Sequence, residues 1–121
     1  MKILVVEDDL SVRETLGMVL ESSGHEVILL ENGAEALRFM EKQWPDAMLL
    51  DLTLPEMSGE QVYAAILDRF GRIPPTVILS AAQRGADRAR YMPGVMFLAK
   101  PYTIEDLEEV ISQVVESRGA A

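Results

Sequence analysis

The chain has 121 residues, with 20 acidic side chains against 11 basic ones, a net charge of -9, one histidine and no cysteine. That length suits one domain with its own core. Disulfides, zinc–thiolate sites and cysteine nucleophiles are excluded, so a metal site would have to be built mainly from oxygen. The acidic balance repels phosphate backbones, so no direct nucleic-acid binding is expected.

Ile3-Leu4-Val5-Val6 is short, apolar and rich in β-branched residues, which predicts a buried strand. From Ser11 the period becomes helical, with Val12, Leu16, Val19 and Leu20 on one stripe, and Ser22-Ser23-Gly24 ends that helix. Val27–Leu30 is a second strand, expected at the outside of the sheet. Asn32 can cap a helix carrying Ala36, Leu37 and Met40, which stops before Trp44-Pro45. Ala47–Leu50 is a third strand, and Pro55–Gly59 a loop before a helix with Val62, Ala65 and Ile66. Thr76–Leu79 and Val95–Leu98 are the fourth and fifth strands. Between them, the segment from 81 to 92 has few apolar residues, contains Gly85 and runs into Pro93-Gly94, which predicts a short or loosely packed fourth helix. Thr103 and Asp106 suit a capping box, opening a last helix with Ile104, Leu107, Ile111 and Val114 on its stripe. The tail from about 117 is expected to fray. No apolar run approaches the ~18 residues of a membrane span, and nothing reads as a signal peptide. With no cysteine, a cytoplasmic, reducing setting is expected.

Five strands alternating with helices predict a single α/β domain over 1–121, with a five-stranded parallel sheet covered on both faces. Such sheets place their sites beyond the strand carboxyl ends, where strand order reverses. Glu7-Asp8-Asp9 follow the first strand, Asp51 the third, Ser80 the fourth and Lys100-Pro101 the fifth. Singly, each has an ordinary structural use: an acidic helix start, a turn aspartate, a capping serine, a surface lysine. Placed together at one sheet edge, they make a set. Clustered carboxylates need a counter-charge, and a hard divalent cation such as magnesium supplies it. An aspartate can attack phosphorus to form an acyl phosphate. Lysine and a hydroxyl can stabilise the transferred oxygens. These parts suffice for phosphoryl transfer.

With those segments in hand, the chain resembles the response-regulator receiver domains of two-component phosphorelay signalling. The segments that carry the resemblance are Ile3–Asp9, Leu49–Gly59, Ile78–Ala81 and Phe97–Tyr102. The resemblance implies a flavodoxin-like (βα)5 fold with sheet order 2-1-3-4-5. It implies Asp51 as the phosphorylation site, and Mg2+ held by Asp8, Asp51 and the Thr53 carbonyl, with Glu7 acting through water. Asp9 would stand outside the metal's ligands. Ser80 and Lys100 match the switch hydroxyl and the phosphate-binding lysine, and Phe97 the aromatic switch. The implied partners are a histidine kinase or histidine phosphotransfer protein and an output partner or fused domain, with no membrane. The implied chemistry is limited to self-phosphorylation and self-dephosphorylation. Ser80 stands where many members have threonine. The Pro93-Gly94-Val95-x-Phe97 pattern is similar to receivers fused to hybrid histidine kinases.

Two rivals are weaker. A magnesium-dependent phosphatase of haloacid-dehalogenase type would carry an acid at position 53, where Thr53 stands. A flavin carrier would need a phosphate loop after the first strand, where the acids stand instead. His25 follows Gly24 at a strand start and reads as structural or solvent-facing. Most methionines fall on apolar stripes and read as core. Met18 lies off its stripe and is expected to be exposed near the site.

Overall fold

The computed structural model describes residues 1–54, 56–81 and 92–119, with only the backbone of 118 and 119. The expected fourth helix and the end of the expected frayed tail lie outside them. Five strands are described: β1 (Lys2–Val6), β2 (Glu26–Leu30), β3 (Ala47–Asp51), β4 (Thr76–Ala81) and β5 (Val95–Lys100). Four helices are described: α1 (Leu10–Ser22), α2 (Gly33–Met40), α3 (Gly59–Phe70) and α4 (Ile104–Gly119). All pairings are parallel, in the order β2-β1-β3-β4-β5. This is the flavodoxin-like arrangement.

Strand alternation divides the core. Ile3, Val5, Leu49, Val77 and Leu79 face Leu16 and Leu20 of α1 and Leu107, Ile111 and Val114 of α4. Leu4, Val6, Met48, Leu50 and Ile78 face Ala36 and Met40 of α2 and Val62, Tyr63 and Ile66 of α3. The three inner strands are almost wholly buried, whereas β2 and β5 at the edges are half-buried.

Local chemistry sets the helix starts. Asp9 caps α1 by accepting from Val12 N at 3.0 Å. Asn32 caps α2 by accepting from Glu35 N at 2.9 Å. Thr103 and Asp106 form the expected reciprocal pair, at 3.0 and 3.2 Å. Ser58 and Gln61 form a second capping box at α3, where the sequence predicts only the end of a loop. Trp44 does pack on the core at the end of the α2 region, edge-on to Phe70 with ring centroids 5.6 Å apart. The Arg72 guanidinium lies 4.1 Å from the Trp44 ring centroid. Met40, Met48 and Met92 are buried, and Met18 is 72% exposed. Met18 lies about 13 Å along α1 from Asp9, at 1.5 Å per residue, and so away from the strand ends where it was expected.

The two faces of the sheet do not tolerate equal crowding. A Cβ on Gly33 would come 2.4 Å from Val62 Cγ2, where α2 meets α3. Gly33→Ala should therefore cost about 1–3 kcal/mol through overpacking. Urea unfolding should show a lower midpoint at unchanged m-value. A midpoint equal to wild type would mean that α2 and α3 separate freely.

Candidate functional site

The chain order places β2 and β3 on opposite sides of β1, so the connections after β1 and β3 leave the sheet in different directions and open a crevice between them. Val6 pairs with Leu50, so the next residues, Glu7 and Asp51, emerge side by side. Glu7, Asp8 and Asp51 offer carboxylate oxygens all within 4.8 Å of one another. Glu7 and Asp51 are only 5% and 8% exposed, while Asp8 is open to solvent.

Burial of this kind sets the charge state. Glu7 is pushed up from 4.5 to about 8, chiefly by burial. A shared hydrogen bond with Asp51 and the charge on Asp51 add to the rise, Asp8 adds less, and the Lys100 ammonium opposes it. Near neutral pH the metal-free cluster thus holds a proton on Glu7, beside Asp51. A divalent cation can take that proton's place. The donor set is all oxygen and anionic, which fits a hard cation.

The other predicted residues converge from the far side. Asp51 pairs with Leu79, and Ser80 is the next residue of β4. Ser80 pairs with Ala99, and Lys100 follows on β5. Ser80 is 8% exposed, and its hydroxyl donates to the Ala81 carbonyl at 3.3 Å. The Lys100–Pro101 peptide bond is cis. Phe97 pairs with Ile78 and packs half-buried on the α2–α3 side of the sheet. By strand alternation Ser80 lies on that same side. Thr53 N donates to Asp51 Oδ1 at 3.0 Å, which fixes the carboxyl plane and leaves Oδ2 without that tie. Gly59 N donates to the Leu52 carbonyl at 3.0 Å, and a Cβ on Gly59 would lie 2.9 Å from Leu52 Cα. Helix α3 is therefore seated directly under the loop that follows Asp51. Asp9 stands apart, committed to its capping bond. His25 contacts Glu108 at 3.3 Å and takes no part in the cluster.

Two features escaped the sequence reading. Arg13 turns its guanidinium back onto the acid turn, donating to the Glu7 carbonyl at 2.8 Å and the Asp8 carbonyl at 3.3 Å. The signal available was a base one turn after an acidic helix cap. The second is an apolar groove of about 390 Å³ between α1 and α4, lined by Val12, Leu16, Val19, Tyr102 and Ile104 among others. Tyr102 joins it to the site: burial raises its phenol pKa, and the charges of Glu7 and Asp51 push the same way. The groove needed the packing of two helices distant in sequence, so no local pattern could announce it.

The family model for the response regulator receiver domain matches residues 3–112. The chain is 35% identical over 109 residues to the response regulator MprA of Mycobacterium avium, covering 88% of this chain and 47% of that protein. It is 32% identical to the transcriptional regulatory protein PrrA of Mycobacterium bovis, covering 98% of this chain and 52% of that one. It spans about half the length of these curated relatives. Among solved structures, it is similar to the receiver domain of a sensor histidine kinase from Pseudomonas aeruginosa, which has magnesium coordinated in its active-site cleft. That match has a TM-score of 0.83 at 30% identity and covers 95% of this chain and 97% of the other. The receiver domain of a histidine kinase from Syntrophus aciditrophicus gives a TM-score of 0.85 at 27% identity, covering 96% and 90%.

Proposed function

Since this chain belongs to the response regulator receiver domain family, we propose that it is a signalling switch that takes a phosphoryl group onto Asp51 from a histidine kinase or histidine phosphotransfer protein. The observation that carries this reading is the position of Asp51. It ends the strand that lies between the acids after β1 and Ser80 and Lys100, which stand at the ends of β4 and β5.

Each residue then has a defined task. The Asp51 oxygen not bonded to Thr53 N attacks phosphorus, while the bond from phosphorus to the donor's imidazole nitrogen breaks and its electron pair stays with the imidazole. Asp8, Asp51 and the Thr53 carbonyl would hold Mg2+, with Glu7 acting through water, and the ion would neutralise charge on the phosphoryl oxygens. Lys100 neutralises another of those oxygens, and Ser80 donates to it. When Ser80 turns towards the phosphoryl group it leaves room on the side of the sheet where Phe97 sits, and the ring can move in. The domain's own chemistry is confined to its phosphorylation and dephosphorylation.

The donor's surface is proposed to be the groove between α1 and α4. It reaches Tyr102, whose phenol feels the charges of Glu7 and Asp51, and Ile104 stands 53% exposed in it. An apolar helix face carrying the phosphohistidine would fit it. The net charge of -9 argues against direct contact with nucleic acid. Among the described residues no helix is long and apolar enough to cross a membrane. A cytoplasmic setting is consistent with the absence of cysteine.

Acetyl phosphate with magnesium should add one phosphoryl group to the intact protein, seen by mass spectrometry. Chelating the magnesium should prevent it. An unmodified wild-type protein under these conditions would overturn the reading.

A further inference from the structure

Arg13 lies one turn into α1, its N–H bonded to the Asp9 carbonyl at 2.9 Å. Its half-buried side chain does not run out to solvent. Nη1 instead donates to the carbonyl oxygens of Glu7 and Asp8, at 2.8 and 3.3 Å. These are the two residues whose carboxylates meet Asp51. The rest of this turn is held at its ends. Glu7 N donates to the Leu30 carbonyl at 3.0 Å, and Asp9 caps the helix. The carbonyls in between are tied by the guanidinium.

Resting on the cation site proposed above, we infer that Arg13 is a positioning residue for that site: it clamps the Glu7–Asp8 backbone and keeps both carboxylates gathered against their mutual repulsion. The alternative is that Arg13 matters only as a positive charge near the acids. The two roles differ in sign. A fixed cation repels an incoming cation, so charge alone predicts tighter magnesium binding once Arg13 is neutral. A clamp predicts weaker binding, because groups that orient metal ligands through their hydrogen bonds typically contribute about 10–100-fold in affinity. The contacts favour the clamp. The guanidinium engages main-chain carbonyls, which set where the carboxylates stand.

The experiment is a magnesium chloride titration of the full chain at constant ionic strength, followed by amide chemical shifts. Arg13→Gln should weaken binding by about tenfold or more. Arg13→Lys, which can still donate to a carbonyl, should recover part of the loss. Val114→Ala, which removes buried volume about 15 Å along α4 from its start at Ile104, should bind as wild type does despite its lower stability. Arg13→Gln binding as tightly as wild type, or more tightly, would overturn the inference. So would an equal loss in Val114→Ala. If the wild type itself shows no binding, the cation site falls first, and the role of Arg13 with it.

Discussion

Asp51→Asn should abolish phosphorylation by acetyl phosphate, and Lys100→Ala should slow it by about 100–1,000-fold. Three carboxylates lie within 4.8 Å of one another, so proximity alone does not choose the acceptor. Charge and position do. Glu7, raised to about 8, is protonated near neutral pH in the metal-free domain and is a poor nucleophile. Asp8 is on the solvent side of β1, with β3 between it and the strand that carries Ser80. Asp51 sits between the cation ligands and the groups that stabilise a transferred phosphoryl. An amide at position 51 keeps the shape and the acceptor oxygen for Thr53 N but cannot attack phosphorus. Intact-mass measurements on the two variants, with folding checked by thermal melts, decide the matter. A phosphoryl group still gained by Asp51→Asn would place the acceptor on another carboxylate. A normal rate in Lys100→Ala would remove the lysine from the transfer step.

Magnesium affinity should rise with pH by up to about tenfold per unit between pH 6 and 8, then level off. The reason is the proton that burial and Asp51 hold on Glu7 up to about pH 8. Below that pH the cation must displace it, and each displaced proton links affinity to pH. The stability of the metal-free domain should run the other way. The folded pKa of Glu7 lies above its ordinary 4.5, so over this range the native state binds more protons than the unfolded chain. Stability from this group is therefore complete below about pH 4.5 and falls as pH rises to about 8, by a few kcal/mol in all. Magnesium should restore it most at high pH. Melts from pH 5 to 9, with and without magnesium, test both slopes. Glu7→Gln should flatten them and stabilise the metal-free domain at pH 8. A Glu7→Gln profile as steep as wild type would assign the proton elsewhere.

Much of the fold was legible because its signals are local. Four-residue apolar runs mark strands at any place in the sheet, and Asn32, Thr103 and Asp106 act on helix ends only three residues away. The strand-end acids, Ser80 and Lys100 were legible for a related reason. In a parallel sheet every strand ends at the same edge, so order along the chain becomes proximity in space. The capping box at Ser58 and Gln61 was also local, but it was hidden in a stretch read as a loop.

The amino-acid sequence by itself determined the alternation of elements, the acidic chemistry of the site and the family's motifs. Only the tertiary structure decided how those parts act on one another. Similar apolar runs became buried inner strands or half-buried edges according to their neighbours. Glu7 became a proton holder because β3 brought Asp51 beside it. Arg13 became a clamp once α1 packed against the sheet, and the groove arose where α1 met α4. The physical reason is range. Propensity, periodicity and capping act over a few residues, but desolvation, charge coupling and helix packing depend on groups that the chain brings together from far apart.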